Sequence, residues 1–262
     1  MFDEVDERLP PTSLRGWLSD IFLPALLDPS DKVVGHLIVR LGHRATVDDP
    51  IFGRASGLPA LERFVRDLSA WLKKRQAAFE RIQFTIGVDH DVSEGVLRLV
   101  TRGEAVALPI AVVAQRGRSR EVELRIYYSS KLTEGVAPRP PFVPEDEVLT
   151  LPAVVRTHIE ALRTADLDAL VGCFEQGGGV REASGIRHER GDALTAFYEP
   201  IVRQGGARVL KGAVAYDGRT CALEFSLVGI GTDDVASRAG LWVYEIGDSG
   251  LLRDLRSYSD EF

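Results

Sequence analysis

The sequence predicts an α+β protein built from two tandem copies of one domain, each with three helices packed on a curved, mostly antiparallel sheet. Three observations predict it. A break of five prolines and an acidic run, Glu134 to Pro152, divides the chain. Such a segment favours an extended, semi-rigid conformation over a helix or a central strand. The two sides then repeat at a steady offset. Asp49, Leu61 and Phe64 fall opposite Glu182, Leu194 and Phe197, each 133 residues on, and Leu124-Arg125-Ile126-Tyr127 falls opposite Leu255-Arg256-Ser257-Tyr258, 131 residues on. Finally, both sides place helical patterns first and four strand-like runs last. The expected division is a first domain over 1–133, a linker over 134–149 and a second domain over 150–262. Two copies make a tandem pair, since a solenoid needs at least three shorter repeats.

In the first half, Leu14 to Leu27 and Lys32 to Leu41 read as helices, with Pro24 expected to kink or break the first. A short strand, Ala45 to Asp48, follows. From Pro59 to Gln76 the apolar residues Leu61, Phe64, Val65, Leu68, Trp71 and Leu72 recur at spacings of three and four, which is one face of a helix. Strand-like runs cover Glu80–His90, Val92–Arg102, Glu104–Gln115 and Glu121–Lys131. Arg81 to Ile86 alternates polar and apolar, as a half-buried antiparallel strand does. Gly117 stands at the last turn.

The second half follows the same order. Leu151–Thr164 and Asp166–Phe174 read as helices, with Thr164-Ala165-Asp166 as the cap between them. A third helix covers Asp192–Val202. Strands are expected over Ala207–Tyr216, Thr220–Val228, Ser237–Ile246 and Leu251–Tyr258, with Asp217-Gly218 as the strongest hairpin signal.

Composition narrows the function classes. The 262 residues carry 32 basic and 39 acidic side chains, a net charge of -7, which argues against a globally basic nucleic-acid binder. The beginning, MFDEVDERLPP, lacks the apolar core of a secretory signal. The most apolar stretch, Ala105 to Ala114, is far short of the roughly 20 residues of a membrane span. Two cysteines make no disulfide framework and fit a reducing compartment. A cytoplasmic protein without nucleic-acid or membrane partners is therefore expected. The excess of arginine over lysine and the lack of asparagine fit a GC-rich bacterial genome.

Ala45-Thr46-Val47-Asp48-Asp49-Pro50, followed by Gly57 and a G-x-x-x-L-x-x-F helix, resembles the nuclear transport factor 2-like superfamily, which includes ketosteroid isomerase and the SnoaL-like polyketide cyclases. The resemblance spans about 14–132 and 150–262. It implies two cone-shaped domains, each sheet curling around its long helix, with an apolar pocket at the open end and a small apolar molecule as the ligand. Members of the superfamily pair through their sheets, so a tandem chain could form a pseudo-dimer within itself. A further homodimer stays open. No cofactor is implied. The scaffold hosts isomerases, cyclases, hydrolases, dehydratases and plain binding modules, so the activity is not fixed by the fold.

Residue by residue, Asp49 stands where the isomerase has its general base, which removes a proton beside a carbonyl while a tyrosine and a protonated Asp hold the enolate oxygen. Those partners do not recur here. Ala111 stands near the second acid's position, Ala25 near the tyrosine's, and no tyrosine precedes Tyr127. The alternative role for Asp49 is to cap the turn before Pro50. Arg102-Gly103-Glu104 resembles the arginine–acid pair of limonene epoxide hydrolases, but Ile126 replaces the remaining acid.

In the second half Glu182 replaces the aspartate and is the candidate base. Glu224 lies in an otherwise apolar strand, where a buried acid has a raised pKa. With His188, Tyr198, Arg181 and Trp242 it forms the expected pocket lining, Trp242 standing near the second acid's position. The competing reading of Glu224 is a salt bridge to Arg181 or Arg187. Two function classes result: an acid–base isomerase, cyclase or dehydratase for a ketone- or polyketide-like substrate, and a non-catalytic binding or assembly module.

The remaining chemistry-bearing residues read as structural. Cys173 and Cys221 are expected in the core. The histidines show no metal-ligand spacing, so no metal site is expected. Gly177-Gly178-Gly179 lacks a phosphate-loop lysine and reads as a turn. Lys73-Lys74-Arg75 complements a helix C-terminus.

Overall fold

The computed structural model describes residues 17–28, 30–116, 121–129, 145–146, 148–228 and 238–258. The turn at Gly117 and most of the Pro-rich segment lie outside them. The first half runs α1 (Leu18–Leu27), α2 (Asp31–Leu41), β1 (Thr46–Asp49), β2 (Gly53–Ser56), α3 (Leu58–Lys74), β3 (Ala78–Ile86), β4 (His90–Thr101), β5 (Glu104–Arg116) and β6 (Val122–Tyr127). The second runs α4 (Ala153–Thr164), α5 (Leu167–Gly172), β7 (Phe174–Arg181), β8 (Arg187–Glu189), α6 (Asp192–Arg203), β9 (Arg208–Tyr216), β10 (Thr220–Val228), β11 (Arg238–Ile246) and β12 (Leu252–Ser257).

Each half folds its strands into one six-stranded sheet, in the orders β2-β1-β6-β5-β4-β3 and β8-β7-β12-β11-β10-β9. Among the described strands, only β1–β6 and β7–β12 run parallel. The registers correspond: Asp48 sits opposite Arg125 in the first sheet, and Arg181 opposite Arg256 in the second. The repeat seen in sequence is thus a repeat of strand pairing.

The long helix α3 forms as its apolar spacing requires. Gly57 precedes it at φ 80, Pro59 opens its first turn where no amide partner is needed, and Lys73 and Lys74 close it. Leu61, Phe64, Val65, Leu68 and Leu72 are buried against the sheet. Pro24 lies inside α1 without ending it. The helix is held from outside instead: Ser19 donates both its hydroxyl and its backbone N–H to buried Asp91, and the Ser69 hydroxyl bonds the Leu26 carbonyl at 2.8 Å. In the second half Asp166 caps α5 by accepting from the Ala169 N–H at 3.0 Å.

Two expectations need correction. The second helix of the second half stops at Gly172, and Phe174 already opens β7. Gly177-Gly178-Gly179 is therefore within a strand, not a turn before one. Gly177 has φ +77, and the β7–β12 register shifts there. A Cβ on Gly178 would stand 2.6 Å from the Leu252 carbonyl oxygen, and one on Gly179 2.2 Å from that of His188. The glycines are present because neighbouring backbone leaves no room for side chains. The short strands β2 and β8, which turn back from β1 and β7, were not legible in the sequence.

Each sheet has one face toward its own helices and one toward the other half. Along β5, Leu108, Ile110, Val112 and Ala114 enter the first domain's core, while Ala111 and Val113 face the second domain. Val92, Ala111, Val113 and Tyr127 meet Ala215, Ala222, Leu241, Val243 and Tyr258 in a shared apolar layer.

Candidate functional site

The core of the second half holds a buried aromatic cluster. His158, on the buried face of α4 with Val155, Ala161 and Leu162, points into a cluster of Phe174, Tyr198, Trp242 and Tyr244. Its Nε2 lies 2.8 Å from the Tyr198 hydroxyl and its Nδ1 3.3 Å from that of Tyr244. Burial pushes the imidazole down to about 3, so it is neutral at ordinary pH. Trp242 stacks on Phe225 with ring centroids 3.8 Å apart. Tyr198 and Trp242, expected to line an open pocket, are instead fully buried core residues. Cys173 and Cys221 also lie in this core, and burial pushes their thiols up to about 11 and about 12.

The first half holds a buried acid. Asp49 ends β1, and its Oδ1 accepts from the backbone N–H groups of Ile51 and Phe52, both at 2.8 Å. It thereby caps the β1–β2 turn. The Tyr128 hydroxyl lies 3.0 and 3.1 Å from its two carboxylate oxygens. Burial outweighs these hydrogen bonds and raises the carboxyl to about 6. Phe52 stands edge-on to Phe64 and Trp71 beside it, with centroids 6.0 and 6.2 Å apart. The β5 positions facing this interior are apolar, so none supplies a second acid. Ala111, compared with that acid in the sequence, faces the other way. Arg102 and Gly103 form the β4–β5 turn with φ 52 and 82, and Arg102 and Glu104 are exposed there.

Glu224 does not join Glu182. It lies on the inter-domain face of β10, 2% exposed, where Arg125 donates to it at 2.6 and 2.7 Å and Tyr127 at 2.6 Å. The salt bridge foreseen to Arg181 or Arg187 is made by Arg125 of the other half. A two-fold counterpart exists: Glu94 of the first half, 0% exposed, accepts from Arg256 at 2.7 and 3.2 Å and from Tyr258 at 2.8 Å. The repeated Leu-Arg-x-Tyr segments supply these donors. Burial opposes the charge on Arg125, but Glu224 outweighs it and raises the guanidinium's pKa.

Pairing of the halves leaves a groove of about 590 Å3, lined by Ile82, Val96, Ala107 and Pro109 from the first and by Arg181, Glu182, Ile186, Arg256 and Tyr258 among others from the second. It lies on the outer faces of the sheets. Glu182 stands at its rim, accepting from the Ser184 hydroxyl at 3.2 Å and paired with His188 Nε2 at 2.5 Å. The His188 ring lies 4.7 Å from that of Phe197. Arg181, Glu182 and His188 are thus brought together, while Glu224, Tyr198, Trp242 and Asp49 lie elsewhere. No group of three or more His, Cys, Asp or Glu able to hold a metal occurs among the described residues. No described helix is long and apolar enough to cross a membrane.

No family model and no curated protein matches the chain. Solved structures similar to it include a Δ5-3-ketosteroid isomerase from a Mycobacterium species, 20% identical over 40% of this chain and 89% of that one, with TM-score 0.37. A polyketide cyclase assigned as such only provisionally, from Sinorhizobium meliloti, is 21% identical over 41% and 94%, with TM-score 0.35. An NTF2-like protein of unknown function from Cytophaga hutchinsonii is 15% identical over 44% and 95%, with TM-score 0.34. Three helices on one mostly antiparallel sheet in each half is the architecture that the sequence resemblance implied. Each half is an α+β unit of three helices and one six-stranded sheet.

Within this tandem pair, sequence reading missed two residues. His158 was legible as the one polar member of an apolar helix face, but nothing in sequence joined it to Tyr198 and Tyr244. Tyr128 follows the repeated Leu-Arg-x-Tyr segment and turns its hydroxyl inward to Asp49, opposite in direction to Tyr127.

Proposed function

We propose that this chain is a small-molecule-binding module built as an intrachain pseudo-dimer, with its ligand site in the groove between the halves. The observation that carries this reading is the groove itself. About 590 Å3 is within the size range of small-molecule sites, and its walls are mostly apolar with a few polar groups. The packed aromatic interior of the second half supports placing the site outside the cones. The two buried glutamate clamps support a fixed pairing, which would give the groove rigid walls.

Titration with a neutral apolar fluorophore such as Nile red tests it. Ala107 is exposed on the groove wall, so Ala107→Trp should weaken binding at least tenfold. Val39→Trp, on the exposed face of α2, should leave binding unchanged. Equal binding by wild type and Ala107→Trp would overturn the assignment.

A second reading, acid–base chemistry on a ketone-like substrate, is favoured by Asp49, a carboxyl raised to about 6 beside the Tyr128 phenol. Asp49 would be its base. Deuterium exchange alpha to the carbonyl of ketone substrates, abolished in Asp49→Asn, is its test.

A further inference from the structure

Four charged side chains line the groove, and three are engaged. Arg256 donates to Glu94, with Glu245 and Asp254 at 3.4 and 3.2 Å. Asp254 also lies 3.6 Å from Arg187. Glu182 is held by His188 and Ser184. Arg181 differs. Among the described residues its guanidinium makes one long hydrogen bond, 3.4 Å to the Gly185 carbonyl, and has no carboxylate within ion-pair distance. Around it the wall is apolar, and Ile82 and Ile186 leave 49% and 57% of their surface to water.

The duplication makes the contrast sharper. Arg181 faces Arg256 across β7–β12, and its equivalent across β1–β6 is Asp48, facing Arg125. Asp48 pairs with Arg54 at 3.5 Å. The same strand position therefore carries an ion-paired acid in one half and, among the described residues, an arginine without an acid partner in the other.

Resting on the groove reading above, we infer that the groove takes a small amphipathic carboxylate, its anionic head on Arg181 and its apolar body against Ile82, Val96, Pro109 and Ile186. A guanidinium offers a planar fork of donors that matches a carboxylate in two parallel hydrogen bonds. The apolar wall removes the ligand's hydrocarbon from water along with the exposed isoleucines.

Displacement of the neutral fluorophore by decanoate, decanol and decyl phosphate tests this on wild type, Arg181→Gln and Arg181→Lys. Decanoate should displace at least tenfold more effectively than decanol from wild type, and the preference should shrink with added salt. Arg181→Gln should abolish the preference while keeping fluorophore and decanol binding, and Arg181→Lys should retain part of it. Retained fluorophore binding shows that the variants are folded. Equal displacement by decanol and decanoate from wild type, or a preference that survives in Arg181→Gln, overturns the carboxylate inference and leaves the groove reading standing. Decyl phosphate outperforming decanoate overturns the carboxylate as the head. Failure of the fluorophore and all three ligands to bind overturns the groove reading itself.

Discussion

Glu224 of the second half and Arg125 of the first meet through two hydrogen bonds of 2.6 and 2.7 Å, sealed from water between the sheets. Tyr127 adds a third donor, and Glu94 with Arg256 and Tyr258 repeats the arrangement on the other side. A carboxylate there carries a large desolvation cost, and only donors from the opposite half offset it. The pairing of halves is therefore specified by charge as well as by apolar contact.

Removing one partner should expose that cost. Glu224→Ala leaves Arg125 without its main counter-charge and should lower stability by about 3–5 kcal/mol in urea unfolding. Glu94→Ala should do the same. Tyr127→Phe removes one hydrogen bond to a charged group and should cost about 1.5–3 kcal/mol. The double variant Glu224→Leu with Arg125→Met should recover most of the loss, because no lone charge stays buried. A double variant as unstable as Glu224→Ala would contradict the clamp.

Asp49 should make the first half more stable in mild acid. Its carboxyl ionises at about 6 in the folded chain and at 3.8 ordinarily, so the folded state holds the proton more tightly. That contribution is fully present below about pH 4 and is lost as pH rises through about 6, a change of about 3 kcal/mol. Asp49→Asn cannot titrate. Wild type should therefore lose stability relative to this variant between pH 4 and 7 in urea unfolding, and a pH-independent difference would refute the assignment.

His158 acts with the opposite sign. Held neutral, it ionises at about 3 rather than 6.5, so the unfolded state binds protons first as pH falls. Its contribution is complete above about pH 6.5 and should drop by about 3 kcal/mol by pH 4.5. Trp242 fluorescence, in a chain carrying Trp17→Phe and Trp71→Phe, reports the second half selectively. His158→Leu should be weaker than wild type at pH 7, with two tyrosine hydroxyls left without the imidazole, yet show a flatter acid dependence.

Gly179→Ala should separate β8 from β7. The new Cβ would strike the His188 carbonyl oxygen, which belongs to backbone and cannot rotate away. A cost of about 1–3 kcal/mol is expected, as for other overpacked sites. The same displacement should move His188 from Glu182 and weaken fluorophore binding in the groove. Gly172→Ala, where a Cβ meets nothing within 4 Å, is the control.

What sequence could show and what it could not divide along a physical line. Helical periodicity in Leu61 to Leu72, the Asp217-Gly218 turn and the matched Asp49/Glu182 positions are local or repeated patterns, and they carried the fold class and the duplication. The orientation of single polar side chains is not local. Glu224 reads the same from sequence whether it lines a cavity or an interface, since both faces of β10 are buried. Strands buried on both sides lose the polar–apolar alternation that would tell the faces apart. The Leu-Arg-x-Tyr repeat was visible, but its purpose depends on which half each arginine meets.

By itself, then, the amino-acid order determined two copies of one α+β domain, because periodicity and turn chemistry act over a few residues and recur at a fixed offset. Tertiary structure alone decided that His158, Tyr198 and Trp242 would meet in one core, that Asp49 would meet Tyr128, and that Arg181 would line a groove without an acid partner among the described residues. Those outcomes depend on contacts between residues far apart in the chain, whose distances no local spacing encodes.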